Sequence, residues 1–149
     1  MKRKSLDTAE SPITRTLDVI GDCWSLLIVC DAFLGKRRFG EFQRSLGVAK
    51  NILSTRLQKL VAQGVLEIVP ASDGSAYREY ALTEKGRSLY IVLVALRQWG
   101  ERCLFEEEEL DVLLVDRDTL QPVKALELRS QDGRLLGPAD LLTVYTSDR

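Results

Sequence analysis

Leu53, Leu57, Leu60 and Val61 recur at i, i+4, i+7 and i+8 in a segment that stops at Gly64, and the apolar residues directly beyond it, Val65 to Val69, follow one another as in a strand. A switch from helical to strand period across one glycine limits the chain to folds in which a helix feeds straight into a β-hairpin. Ala71-Ser72-Asp73-Gly74-Ser75 reads as the turn and Tyr77 to Leu82 as the returning strand. Upstream, Ser11-Pro12 reads as a helix cap and first position, opening an apolar face of Ile13, Leu17, Val19 and Ile20 that stops at Gly21. A second helix, about Trp24 to Phe33, is apolar nearly all round and therefore expected to be buried. A short third, about Phe39 to Leu46, precedes a fourth at about Ala49 to Gln63, with Gly47 at the turn between them.

Downstream, Thr83 is read as the cap of one long helix, in which Leu89, Val92, Leu93, Leu96 and Trp99 form a continuous apolar stripe to about Leu104. Two short helices around a glycine turn, followed by a hairpin, describe a winged helix-turn-helix, whose second short helix enters the DNA major groove. The stripe is too extensive for one small domain to cover, which points to self-association. At 149 residues, 45% hydrophobic and 29% charged, the chain is expected to carry one core with an appendage.

Several functions are excluded by what the chain lacks. It contains no histidine, so no Ser-His-Asp or Cys-His nucleophile pair and no histidine-ligated zinc can be built from it. The three cysteines, Cys23, Cys30 and Cys103, form no CxxC pair and fit reduced thiols. An enzyme, a metal site and a cofactor are not expected. The nearly apolar run Trp24 to Leu34 contains Asp31 and is too short to cross a bilayer, which takes roughly 18 to 20 residues, and the basic start MKRKSLDTAE leads into no apolar stretch. A cytoplasmic protein without a membrane partner is expected.

Charge is unevenly distributed. Residues 1–105 carry 16 Lys and Arg against 11 Asp and Glu, whereas residues 106–149 carry 5 against 11. Between Leu34 and Leu60, seven cations face Glu41 alone, a field suited to a polyanion. With Leu53, Leu57 and Leu60 in the core, the fourth helix would present Lys50, Asn51, Ser54, Thr55 and Gln58, residue types that bond base edges and phosphates. Arg37 and Arg38 sit where guanidinium groups reach phosphate, although Arg38 is also spaced to pair with Glu41, and Arg78 lies at the base of the wing. An ordinary solvated helix face is the alternative that the residues alone leave open.

SPITRTLDVIGDCW, RRFGEF, ILSTRLQKLVAQGVLE and YREYALTEKGRSL, in this order over roughly residues 11–104, resemble the HxlR-type winged-helix regulators of bacteria, relatives of the MarR group. The resemblance implies a homodimeric transcription regulator, in the first instance a repressor, held through its first and last helices and binding an inverted-repeat operator in double-stranded DNA. It implies a dimer interface drawn from Leu17, Leu89, Val92, Leu93, Leu96 and Trp99, and it leaves room for a small-molecule effector of unknown identity. The expected fold class is α+β, mainly α: a winged helix-turn-helix with a long C-terminal dimerisation helix and a small β-rich C-terminal appendage. The expected organisation is an arm at 1–10, a DNA-binding and dimerisation domain at 11–105, and an acidic extension at 106–149.

Two positions depart from the family pattern. Ser11 stands where members usually have cysteine, a thiol that some use to sense electrophiles or oxidants, and Gly21-Asp22-Cys23-Trp24 stands in place of Gly-Gly-Lys-Trp. Cys23, at a helix start, is the candidate sensor in this chain, but the acid beside it opposes thiolate formation and buried filler is the default for a free cysteine. Cys23 and Cys30 would lie about 10.5 Å apart along a continuous helix, too far to bridge. Beyond Leu104, Val112 to Val115, Val123 to Leu128 and Leu141 to Tyr145 read as short strands, in a segment that must pack on its own domain, pack on a partner subunit, or stay partly mobile. A second reading of the whole chain follows from that acidic segment: a winged-helix module that docks on other proteins through it.

Overall fold

The computed structural model describes residues 11–144, so the expected arm at 1–10 and the end of the last expected strand at Tyr145 lie outside the described residues. Four helices come first: α1 (Pro12–Ile20), α2 (Cys23–Phe33), α3 (Phe39–Leu46) and α4 (Lys50–Ala62). A hairpin of β1 (Leu66–Pro70) and β2 (Arg78–Leu82) follows, then α5 (Glu84–Arg87) and α6 (Tyr90–Leu104). The chain is the expected winged helix-turn-helix, and it divides into two compact units, one up to Leu93 and the other from Val94 onward.

In the first unit α2 is the axis, although it is not buried all round as its apolar sequence led one to expect: Leu27 and Phe33 stay exposed. The helix packs against α1, α3, α4 and β2. Ile28 and Val29 of α2, Phe42 of α3, and Leu53, Leu57 and Leu60 of α4 are all inaccessible to solvent and belong to one core cluster. Burial of each such side chain contributes roughly 1.5 to 3 kcal/mol, and this fixes the rotation of α4 about its own axis.

The hairpin is antiparallel, with Leu66 opposite Leu82 and Pro70 opposite Arg78. Tyr80 donates its backbone N–H to the carbonyl of Arg37 at 2.7 Å, so the segment ahead of α3 lies alongside β2. The Tyr80 ring meets Phe42 edge-on at 6.4 Å and 79°. The wing and the helix-turn-helix are thereby one packed body.

The expected single helix from Thr83 to Leu104 is instead two. Thr83 caps α5 through a bond to the Gly86 N–H at 3.0 Å, but the Ser88 hydroxyl bonds the Lys85 carbonyl and Leu89 N–H turns to Gly86, ending the helix before α6 begins. Gly86 is required by close approach: a Cβ there would stand 2.1 Å from the Val65 carbonyl oxygen. The break lets Leu89 and Leu93 pack against the core cluster, so part of the expected stripe is covered within its own domain.

In the second unit the expected strands are absent among the described residues. Val115 with Pro122 and Arg129 with Leu135 form isolated bridges, and Pro138–Asp140 makes a single 3-10 turn. Extended segments without ladder partners do not become strands, however favourable their local pattern. Asp132-Gly133 forms a turn, with Gly133 at φ 89°. No described helix is long and apolar enough to cross a membrane.

Candidate nucleic-acid interface

The turn between α3 and α4 rests on Gly47, whose φ of 63° is left-handed and ends α3, while Val48 plugs into the core at 5% exposure. Ala49 precedes α4 without any side-chain cap, which leaves the first amides of the helix to an outside acceptor. An uncapped helix N-terminus beside an exposed Lys50 suits a phosphate.

Along α4, Lys50, Asn51, Thr55 and Gln58 are exposed and Ser54 is half-buried, on the side away from Leu53, Leu57 and Leu60. The Thr55 hydroxyl donates to the Asn51 carbonyl at 2.8 Å, and Gln58 Nε2 donates to Ser54 Oγ at 3.5 Å. Ile52 is also exposed on α4, at 37%. Sequence reasoning missed it because an apolar residue in an amphipathic helix is assigned to the core by default. An exposed aliphatic group of this kind can pack on a thymine methyl.

Several cations of the basic segment turn inward. Arg56 pairs with Asp22 at 3.0 Å, Lys59 donates to the Asp18 carbonyl, and Arg37 lies 3.5 Å from Glu79. The Arg38 guanidinium pairs with Asp73 of the wing at 2.6 Å and lies 5.2 Å from the Tyr77 ring centre. Arg38 therefore meets the wing rather than Glu41, whose carboxylate instead accepts the backbone N–H groups of Arg37 and Arg38 at 3.2 and 3.0 Å. Counting Asp22, Asp73 and Glu79 with Glu41 against the seven cations leaves +3, where the sequence window alone gave +6. The neutralising acids lie outside that window in sequence and beside it in space.

The wing tip is internally tied. Ser75 bonds hold the Asp73 carboxyl far below the usual carboxylate range, with Arg38 adding to them. Glu79 is buried, and the Ser72 N–H, at 2.7 Å, is the main reason its pKa is lowered. Gly74 takes φ 76° at the tip, and Arg78 is exposed at the start of β2.

Asp22 caps α2. Its carboxylate accepts the Ser25 N–H at 2.9 Å and the Ser25 hydroxyl at 2.7 Å, and its pairing with Arg56 joins the cap to α4. Burial opposes ionisation here, but Ser25, Arg56 and Lys59 outweigh it, and the pKa falls. A depressed folded-state pKa gives stability that is present above the ordinary carboxylate range and lost as pH falls through the folded value. Asp22→Ala is expected to cost about 1 to 2 kcal/mol near neutral pH, and its deficit against wild type should shrink as the pH falls below the ordinary carboxylate range in denaturant titrations. A deficit that does not change with pH would deny the carboxylate this part.

All three cysteines are free: Cys23 and Cys103 are exposed, while burial raises the pKa of Cys30, with Asp31 adding to it.

A family model described as HxlR-like helix-turn-helix matches residues 19–108. The chain belongs to the HxlR-like helix-turn-helix family. A curated relative, an uncharacterised HTH-type transcriptional regulator of Mycobacterium tuberculosis, Rv3095, is 45% identical over 92 residues, covering 62% of this chain and 58% of its own length. This chain thus matches little more than half of that relative. The solved structure of PA1607, described as a candidate transcription factor, is similar at 54% identity and TM-score 0.89, covering 95% of this chain and 99% of its own. PA1374 from Pseudomonas aeruginosa is similar at 38% identity and TM-score 0.61, covering 89% and 90%. These similar proteins are named as a transcription regulator or as transcription factors and not as enzymes.

Proposed function

We propose that this HxlR-like protein is a sequence-specific double-stranded-DNA-binding transcription regulator that represses by occupying an inverted-repeat operator as a homodimer. The observation that carries the reading is the polar row of α4, exposed on a helix whose opposite side is locked into the core. Asn51 and Gln58 are the base readers, with Ser54 and Thr55 beside them and Ile52 against a thymine methyl. Lys50 and Arg78 hold phosphate, while Arg37, paired with Glu79, and Arg38, paired with Asp73, position the wing. Residues 11–105 form the DNA-binding and dimerisation part, and the extension from 106 onward, being acidic, is a poor DNA contact.

The dimer reading is supported by exposure. Leu17 of α1 is 48% exposed, Leu96 50% and Trp99 53%, and no residue of α6 is buried. Leu89, Val92 and Leu93 contribute less, since each is half-buried and Leu89 and Leu93 already pack on the core.

Asn51→Ala and Gln58→Ala are expected to lose about 1 to 3 kcal/mol at particular base pairs while largely sparing scrambled duplex. Lys50→Ala should weaken operator and scrambled duplex alike and reduce the salt slope by about 1 per phosphate contact removed. Titration of each variant against both duplexes at two salt concentrations, with a thermal melt as control, makes the comparison. Full discrimination retained by both Asn51→Ala and Gln58→Ala would remove the reading role from this side of α4. Binding that does not respond to salt would favour a protein partner.

A further inference from the structure

We propose that the extension, residues 106–144, is an arm that closes over a second copy of this chain. None of these residues is buried, although they are rich in leucine and valine from Val112, 66% exposed, to Leu142, 85% exposed. The segment nevertheless has a defined path. Arg97 donates to the Val112 carbonyl at 2.6 Å, and Gln98 bonds the extension twice, to the Lys124 carbonyl at 3.1 Å and from the Leu126 N–H at 2.8 Å. Within this unit the arm is thus held against α6 by polar side chains and by its own turns, not by apolar burial. Ordering a backbone carries an entropic cost that such exposed hydrogen bonds do not offset, and so large an apolar surface is uncommon on a protein that acts alone.

Three observations select a second copy as the cover. The arm belongs to the same unit as Leu96 and Trp99 of α6, so a two-fold contact made through α6, on which this inference rests, brings the arm alongside the partner protomer. Residues 106–149 carry 5 cations against 11 acids. This acidity excludes the arm from DNA. Finally, the family model ends at residue 108, whereas the likeness to PA1607 and PA1374 takes in 95% and 89% of this chain and so continues into the arm. The arm is thus shared with two solved structures beyond the segment that the family model matches.

The test uses the full chain. Leu126→p-benzoylphenylalanine, a photo-crosslinker, is placed in the arm of 15N-labelled protein and mixed after subunit exchange with unlabelled protein carrying the same substitution. Sedimentation of the wild type is run in parallel. The expected result is a dimer whose crosslinked peptides are about half of mixed isotopic composition and join the arm to α1 or α6 of the other copy. Leu126→Asp with Leu135→Asp should weaken the dimer at least about tenfold while leaving the melting of the first unit in place. A wild type that sediments as a dimer but gives only unmixed crosslinks, or none, overturns the arm and leaves the dimer reading standing. A monomeric wild type overturns both.

Discussion

Leu96→Glu is expected to convert the protein to monomers and to abolish operator binding in the nanomolar range. Leu96 is half exposed on α6, so the substitution removes little from the protomer's own packing, and its melting temperature should stay within a few degrees of wild type. In an interface with two-fold symmetry every change counts twice. Burying the exposed half of Leu96 is worth roughly 0.75 to 1.5 kcal/mol in each copy, so its loss weakens the dimer by about 1.5 to 3 kcal/mol, or about 10- to 10²-fold, before the desolvation and mutual repulsion of the new carboxylates are added. Sedimentation equilibrium reads the first effect and an operator mobility shift the second. Leu93→Glu is the poorer probe, because Leu93 packs against the core and its replacement would also disturb folding. A Leu96→Glu protein that remains dimeric at micromolar concentration would place the interface elsewhere.

Phe42→Ala is expected to have the largest effect on stability. Phe42 is fully buried at the centre of the first unit, and its ring joins α3 to β2 through Tyr80. Truncating a buried phenylalanine costs about 3 to 5 kcal/mol, through lost transfer energy and the cavity left behind. In a domain of this size each kcal/mol lowers the melting temperature by roughly 4 to 8 °C, so a fall of more than about 12 °C is expected by circular dichroism. DNA binding should fall with the folded fraction, and at temperatures where the variant is still folded the wing should be less well fixed to the helix-turn-helix. Phe42→Leu, which fills most of the space, should recover much of the loss. A melt within about 3 °C of wild type would show that the site collapses around the deletion and that Phe42 does not hold the wing.

Much of this site could be read from local pattern. Leu53, Leu57 and Leu60 mark one side of a helix by spacing alone, so the opposite row, Lys50, Asn51, Thr55 and Gln58, follows without coordinates. Gly47 and the change of period at Gly64 mark the turn and the hairpin for the same reason: backbone conformation and side-chain periodicity are properties of short stretches. The Asp22 cap was legible in principle, as an N-cap residue type directly before an apolar run. Its position beside Cys23 drew attention to the thiol instead.

What the sequence determined by itself was the order and type of the elements from α1 to β2, and with them the family, because each depends on spacings of a few residues. The tertiary structure alone decided which charges remain for a partner. Arg38 meets Asp73 and Arg56 meets Asp22 across more than 30 residues of chain, and a Coulomb interaction depends on distance in space. It also decided that Thr83 to Leu104 would be two helices, with the Ser88 hydroxyl on the Lys85 carbonyl and the Leu89 N–H on the Gly86 carbonyl at the break, and that the described residues of the extension would not form strands. A strand exists only when another segment supplies its hydrogen bonds, and within one chain the segments around Val112 and Val123 have too little ladder to complete one.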